Sequence, residues 1–154
     1  MELIERETFC ICGYAVEMSA TQNNKDVSGL YKDFFDRDKE AILLRLQGSK
    51  KGYFGLSWYM QGHEKYCYLL GIEVGNENEP PENALIKTLE KTLYAIARYP
   101  HDKDIIEAWT EFFYTNIPYE GYAPNASYNL YFEYYPESVH DNYELWIPVV
   151  KAHV

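Results

Sequence analysis

The chain has 154 residues, with 24 acidic and 14 basic side chains, a formal net charge of −10 and 16 tyrosines. A negative surface repels phosphate backbones, and the only adjacent basic pair is Lys50-Lys51, so we expect no direct nucleic-acid binding. The N-terminus has no signal-peptide pattern and no apolar run reaches membrane length. We therefore expect one cytoplasmic domain over residues 1–154, without membrane association.

The cysteines and histidines do not indicate a metal site or a cofactor. Three cysteines, Cys10, Cys12 and Cys67, are an odd number without a disulfide spacing, which favours reduced thiols in the cytosol. The four histidines have no ligand spacing to one another or to the cysteines, and the chain has no P-loop or dinucleotide fingerprint. We expect neither a metal nor a cofactor.

Residue patterns predict strands and helices in the first half of the chain. Residues 7–18 are expected to form a strand, and Ser28 is a plausible N-cap for a helix with apolar residues at helical spacing. A second helix is expected over residues 40–47. The aromatic runs 52–60 and 65–74 then predict a hairpin with its turn between them.

The second half repeats this order after a polar, proline-containing boundary at residues 76–83. Residues 84–99 are mostly typical of strand. A helix opened by Asp102 or Asp104 follows, with Trp109 in its apolar stripe. The last two strands are predicted at residues 127–135 and 143–150.

The two halves, about 1–75 and 84–154, thus share the order strand–helix–strand–strand. Their residue identity is low, so the sequence indicates a duplication of architecture. We predict an α+β fold in which the halves form a pseudo-two-fold antiparallel sheet structure with two main helices.

The final strand carries the clearest chemical feature. Side chains alternate across a strand, so Glu144 and Trp146 share one face, opposite Leu145. Pro148 cannot donate to a ladder and is expected to end the strand. If the face of Glu144 is solvated, this is an edge strand with one wet face. If the face lines a cavity, the carboxylate and the indole make a site for a flat cationic molecule.

Two other residues also have two interpretations. Glu133 lies in an aromatic strand and is either a second acid of a pocket or a charge on a solvated sheet face, which is the commoner case. Trp109, taken alone, is most simply a core residue of its helix.

Four short segments carry a family resemblance. They are Tyr53-Phe54-Gly55-Leu56, Tyr66-x-Tyr68-x-x-Gly71-x-Glu73-Val74, Trp109-x-x-Phe112-Phe113 followed by Pro118-Tyr119-Glu120-Gly121-Tyr122, and Glu144-Leu145-Trp146-Ile147-Pro148-Val149. In this order they resemble the GyrI-like small-molecule-binding domain, which is the effector-binding domain of multidrug-sensing bacterial transcription regulators. The resemblance covers essentially the whole chain.

The resemblance implies a ligand pocket between the halves, in which a buried glutamate pairs with lipophilic cations and aromatic rings stack on them. By position this glutamate is Glu144, and Trp146 shares its face. Trp109 matches the family's helix tryptophan, and Tyr68 matches its third-strand tyrosine. We add Trp58 as a wall residue from strand alternation.

Many family members carry a helix-turn-helix DNA reader, for which 154 residues leave no room, so we expect a stand-alone binding module for lipophilic, cationic aromatic molecules. Some proteins similar to this domain hydrolyse electrophilic, cyclopropane-type rings, and Glu144 with a pocket tyrosine would then activate water. A third alternative is an inhibitor that acts on a protein partner through its acidic surface, and exposed tyrosine-rich strands also allow a homodimer. We assign no catalytic residue.

Overall fold

The computed structural model describes residues 1–19, 25–36, 38–47, 52–59, 65–75, 79–128 and 130–152. The strands are β1 (Glu2–Arg6), β2 (Phe9–Ser19), β3 (Tyr53–Tyr59), β4 (Lys65–Val74), β5 (Leu85–Leu89), β6 (Thr92–Tyr99), β7 (Tyr122–Pro124), β8 (Leu130–Tyr135) and β9 (Tyr143–Lys151). The helices are α1 (Lys25–Asp36), α2 (Lys39–Gln47) and α3 (Ile105–Glu111). The turn expected between β3 and β4, and part of the boundary at 76–83, lie outside the described residues.

Every strand pair in the described residues is antiparallel, which confirms the predicted α+β fold. Eight strands follow the order β1-β6-β9-β8-β3-β4-β2-β5, and β7 pairs with the end of β9. The two central strands, β3 and β8, come from different halves of the chain. Counting outward from them, the two sides of the sheet have matching arrangements, as a pseudo-two-fold relation requires.

The outermost strands are exchanged between the halves. Strand β1 pairs with β6 of the second half, and β5 pairs with β2 of the first half. Only Glu7 and Thr8 connect β1 to β2, although these strands lie near opposite edges of the sheet. A link of two residues spans roughly 11 Å at most, so the sheet must curl until its edges approach each other. Lys91, beside β5, forms ion pairs with Glu5 and Glu7 where the edges meet.

The curled sheet has a different core on each face. The face without helices encloses one cluster, which includes Phe54, Phe132 and Trp146. On the other face, α1 and α2 cover a cluster around Phe34, and α3 covers a cluster that includes Leu145. Strand alternation assigns neighbouring residues to opposite faces, and every strand of the described chain that reaches both cores follows it.

Two predicted element boundaries differ from the structure. Helix α1 begins at Lys25, so Ser28 lies inside it and is not its N-cap. Pro148 does not end the last strand, because β9 exchanges partners there: Tyr94 of β6 is opposite Pro148, and β7 is opposite the residues that follow. The N–H of Asn125, the residue after β7, donates a hydrogen bond to the Pro148 carbonyl at 2.8 Å and so links β7 to β9 at this point.

Helix α3 begins as predicted, because Asp104 is its N-cap and accepts a hydrogen bond from the N–H of Glu107 at 3.0 Å. The helix continues through a π-helical turn (Phe112–Asn116) and a last turn (Ile117–Tyr119). None of the helices in the described ranges combines the length and apolar character needed to cross a bilayer.

Two glycines make the contact between β2 and β4 possible. Gly13 and Gly71 are register partners, and a Cβ on Gly13 would lie 2.3 Å from the Leu70 carbonyl oxygen.

Because this neighbour is backbone, Gly13→Ala should destabilise the protein by about 1–3 kcal/mol. Gly29→Ala is the control: its Cβ meets nothing within 4 Å, and alanine should stabilise helix α1 by about 0.5–1 kcal/mol. Urea unfolding of both variants checks the signs, and a neutral Gly13→Ala would show that the strands separate at little cost.

Candidate functional site

A partly open cavity of about 540 Å³ lies on the helical face of the sheet, between α1 and α3. Its floor is formed by β3, β4 and β8. The volume is in the range of small-molecule sites, which are typically about 300–1,000 Å³. Aromatic side chains dominate the walls: Tyr31, Tyr66, Tyr68, Trp109, Phe113 and Tyr131.

The acid on the cavity floor is Glu133, in the middle of β8. Its residue surface is only 9% exposed. Oε1 of this carboxylate accepts hydrogen bonds from the hydroxyls of Tyr68 at 2.5 Å, Tyr135 at 2.9 Å and Tyr31 at 3.4 Å. Oε2 accepts from the indole N–H of Trp109 at 3.4 Å. The two oxygens therefore differ, because Oε1 has two close donors and a longer contact with Tyr31, whose proton is shared with Tyr68, and Oε2 has one long contact.

Burial determines the protonation of this cluster. Desolvation raises the pKa of Glu133, although its four hydrogen-bond donors act in the opposite direction. Burial and the nearby Glu133 charge both raise the pKa values of Tyr31, Tyr68 and Tyr135, so these hydroxyls remain protonated donors. Among the described residues, no lysine, arginine or histidine is within ion-pair distance of Glu133.

Gly55 leaves the space in which this cluster forms. It is the register partner of Glu133 in the β3–β8 pair. A Cβ at this position would lie 2.0 Å from the Tyr68 hydroxyl and 2.5 Å from Oε1 of Glu133. The Tyr53-Phe54-Gly55-Leu56 segment thus requires glycine at position 55, because any side chain there would separate Glu133 from its closest donor, Tyr68.

The aromatic walls are held by contacts among their own rings. On the α3 side, the Trp109 ring meets Tyr131 edge-on at 5.0 Å between centroids, and Phe113 meets Tyr131 edge-on at 6.3 Å. On the α1 side, the Tyr31 and Tyr68 hydroxyls are 2.7 Å apart in one hydrogen bond. The rings present large apolar surfaces, while the Tyr68 hydroxyl and the Trp109 indole N–H point to the carboxylate.

Three of the six residues expected from the sequence line this cavity: Tyr68, Trp109 and Glu133. The other three, Glu144, Trp146 and Trp58, belong to the opposite face of the sheet. Trp146 is 8% exposed and stacks on Phe132 at 5.3 Å in the core without helices. Trp58 packs against the same core, with the Lys87 ammonium 4.5 Å from its ring centroid.

Glu144 shares a face with Trp146, as alternation predicted, but it is not the carboxylate of the cavity. Its Oε1 accepts from the Trp146 indole N–H at 2.9 Å, and its Oε2 accepts from Arg98 Nε at 2.9 Å. Arg98 also binds Glu2 of β1. Glu144 therefore has a cationic partner within the chain and helps to fasten β1, β6 and β9 together.

The register explains why Glu133, and not the expected Glu144, lies at this cavity. Tyr134 of β8 is opposite Glu144 of β9, so Glu133 is opposite Leu145. The helix-covered face thus receives Glu133 and Leu145, and the other face receives Glu144. The sequence did contain a signal for Glu133. This residue shares a strand face with Tyr131 and Tyr135, and β4 has a similar tyrosine-rich face.

In the parts of the chain that the structure describes, no three histidine, cysteine, aspartate or glutamate side chains converge to hold a metal ion. Cys10, Cys12 and Cys67 are free thiols, and burial raises the pKa of Cys12 to about 11. The chemical character of the cavity therefore comes from one carboxylate, tyrosine hydroxyls and aromatic rings.

Glu133→Gln should change the pH dependence of stability. A glutamate whose folded-state pKa is raised stabilises the fold fully below its unfolded value, near 4.5, and loses this contribution as pH rises through the folded pKa. Glutamine has no such titration and still accepts the tyrosine hydrogen bonds. Urea denaturation from pH 4 to pH 8 measures the free energy of unfolding of both proteins. The value for Glu133→Gln should increase relative to that of wild type as pH rises. A constant difference would mean that burial does not control this carboxyl.

Gly55→Ala should separate the Glu133 carboxylate from the Tyr68 hydroxyl. The added methyl group would overpack the centre of the sheet, with an expected cost of about 1–3 kcal/mol in the free energy of unfolding. The pH-dependent part of stability should also become smaller, since Glu133 would move towards solvent. Tyr68→Phe is the matched variant, because it removes the same hydrogen bond without adding volume on β3. If Gly55→Ala kept the stability and the pH profile of wild type, the close packing described above would be wrong.

Comparison with known proteins places this architecture in a family. The family model described as Cass2, integron-associated effector binding protein, matches residues 2–149. No curated protein sequence matches the chain significantly.

Several solved structures share the fold. One is SAV2435 bound to tetraphenylphosphonium, at a TM-score of 0.76 and 17% identity, with 97% of this chain and 93% of that chain covered. A putative bacterial transcription regulation protein from Staphylococcus aureus MU50 has a TM-score of 0.69 and 15% identity, with 96% of each chain covered. An integron cassette protein from the mobile metagenome of Vibrio cholerae has a TM-score of 0.64 and 14% identity, with 97% of this chain and 95% of that chain covered.

These identities are low, so the solved structures show a common fold, and the family model shows the membership. The resemblance to the GyrI-like domain is thereby confirmed: the chain belongs to the Cass2 family of integron-associated effector binding proteins, which is a GyrI-like family.

Proposed function

We propose that this protein binds lipophilic cations with aromatic groups in the cavity between α1 and α3, and that Glu133 is the counter-charge for the ligand. The observation that carries the proposal is a buried carboxylate that, among the described residues, has aromatic walls and no cationic side chain as a partner.

Other buried or half-buried carboxylates of the described chain are paired differently. Glu73 forms an ion pair with Arg6 at 2.6 Å, and Glu144 forms one with Arg98 at 2.9 Å. Glu133 is surrounded by hydroxyl and indole donors, which stabilise a negative charge without neutralising it. An ionised carboxylate in such surroundings is costly, and a bound cation would remove that cost.

The aromatic walls favour cations whose charge is spread over a large, weakly hydrated surface. A cation over an aromatic face gains about 0.5–2 kcal/mol, and more when both groups are removed from water. Trp109, Phe113 and Tyr131 present such rings on one side of the cavity, and Tyr31 and Tyr66 present them on the other. A compact, strongly hydrated ammonium would lose more hydration energy than these rings return.

The comparisons support the proposal. The family is described as effector binding, and the similar structure of SAV2435 has tetraphenylphosphonium bound. That ligand is a lipophilic aromatic cation, which is the chemical class that the Glu133 cavity suits.

Hydrolysis of electrophilic rings is less well supported by the same geometry. General acid–base chemistry needs a carboxylate and a donor on either side of one reacting atom. Here the hydroxyls of Tyr68 and Tyr135 donate to Glu133 itself, and the Tyr31 hydroxyl is hydrogen-bonded to that of Tyr68. They hold the carboxylate in place, which suits a binding site.

Two charge-removing variants test the proposal. Tetraphenylphosphonium binding should be at least tenfold weaker in Glu133→Gln than in wild type, a loss of about 1.4 kcal/mol or more, because the charge pair is lost in a buried site. Glu144→Gln is the matched control and should bind as wild type does, since Glu144 lies on the other face of the sheet. Isothermal titration calorimetry gives the affinities, and quenching of tryptophan fluorescence, to which Trp109 in the cavity contributes, reports binding.

Three outcomes would contradict the proposal. An equal loss in both variants would exclude specific pairing with Glu133. The absence of saturable binding to wild type would exclude a receptor for this class of cation and favour a protein partner for the acidic surface. Repeated conversion of electrophilic compounds to hydrated products, seen by mass spectrometry, would make the protein an enzyme.

A further inference from the structure

We infer that the same cavity binds a second class of ligand: neutral aromatic molecules with a strong hydrogen-bond acceptor, such as a phosphoryl or carbonyl oxygen, which accepts a hydrogen bond from the neutral acid form of Glu133. This inference rests on the proposed function, because it uses the same carboxyl group and the same aromatic walls.

The two carboxyl oxygens of Glu133 differ in the number and distance of their hydrogen-bond donors. Tyr68 and Tyr135 donate to Oε1 at 2.5 and 2.9 Å, and Tyr31 adds a longer contact at 3.4 Å. A carboxyl oxygen has two lone pairs in its plane, so Oε1 already has its full set of donors. A proton on Oε1 would deprive at least one buried hydroxyl of its acceptor, which is unfavourable.

In the acid form of Glu133, the proton therefore belongs on Oε2. The contact of this oxygen in the described residues is the Trp109 indole N–H at 3.4 Å, which is long for a hydrogen bond. An indole N–H is a donor only and cannot accept from a protonated carboxyl. The O–H of the acid form must therefore turn away from Trp109, and the open direction is the cavity.

Polar and aromatic groups surround Glu133 on each element packed against it. They are Tyr31 of α1, Ser57 of β3, Tyr66 and Tyr68 of β4, Trp109 and Thr110 of α3, Tyr131 and Tyr135 of β8, and, behind Tyr135, Tyr143 of β9. In this part of the described chain none of them is a carboxylate, an amine, a guanidinium or an imidazole. Because burial raises the pKa of Glu133, its acid form also persists to higher pH than that of a solvated glutamate.

One carboxyl group then serves two ligand classes by gaining or losing a single proton. A cation binds the carboxylate, and the proton of Glu133 is released to solvent. A neutral acceptor binds the acid and requires that proton. The two classes compete for one volume, and their affinities change with pH in opposite directions.

The test uses three ligands of nearly the same shape. Methyltriphenylphosphonium is cationic, triphenylphosphine oxide is neutral with a phosphoryl acceptor, and 1,1,1-triphenylethane is neutral without an acceptor. Binding to the full chain is measured by tryptophan fluorescence and by calorimetry in buffers of different ionisation enthalpy, from pH 4.5 to pH 9. As pH rises, the oxide should bind at least tenfold more weakly, the phosphonium at least tenfold more tightly, and the hydrocarbon without change.

Two variants at one position separate charge from hydrogen bonding. In Glu133→Gln, the amide oxygen can accept from the tyrosines while the amide N–H replaces the acid O–H, so oxide binding should persist and lose its pH dependence. In Glu133→Leu, the oxide should bind no better than triphenylethane. The cation should bind both variants at least tenfold more weakly than wild type at high pH.

The results distinguish this inference from the proposed function. If methyltriphenylphosphonium depends on Glu133 but the oxide never binds better than triphenylethane, the inference is overturned and the proposed function stands. The inference is also overturned if oxide binding strengthens as pH rises. If the phosphonium binds Glu133→Gln as tightly as wild type, the proposed function fails, whatever the oxide does.

Discussion

The pairing of β3 with β8 is the constraint on which the fold and the site both depend. It joins the two halves at the centre of the sheet, and its register sets Gly55 opposite Glu133. Because glycine has no side chain, the Tyr68 hydroxyl and the carboxylate meet above this backbone position. A single strand pair thus determines where the buried acid lies and which groups donate to it.

The groups around Glu133 explain why its charge can be compensated by a bound molecule. An arginine beside a carboxylate, as at Glu144, compensates its charge permanently and makes the pair part of the scaffold. Tyrosine and tryptophan donors orient Glu133 but leave its charge state dependent on what else is in the cavity. Glu133 is therefore the acid whose charge is left for a ligand to compensate in the proposed function, whereas Glu144 and Arg98 compensate each other within the chain.

The sequence predicts the parts of the fold that carry local signals. Asp104 is a recognisable N-cap, and the aromatic strands 53–59, 65–74, 130–135 and 143–151 stand out by alternation. Strand β1 could not be recognised, because its five residues are largely charged and exposed and it is a strand through its pairing with β6. Local patterns contain no information on such a distant partner.

The kind of cavity was predictable, and so were three of its residues, Tyr68, Trp109 and Glu133, but the choice between the two acids was not. An acid among aromatic strands was expected, and both Glu133 and Glu144 satisfy that description. Alternation within one strand gives two faces but does not say which face the helices cover. That choice depends on the inter-strand register, which differs by one position between the two glutamates.

The exchanged edge strands have a consequence for which parts of the cavity can move. Each half is tied to the other through β1 and β5, by connections of two residues, so the halves cannot swing apart without losing both edge ladders. The floor of the cavity is consequently stiff. A change in the shape of the cavity would therefore come from α1 and α3 and their aromatic side chains, around a carboxylate that is carried by the sheet.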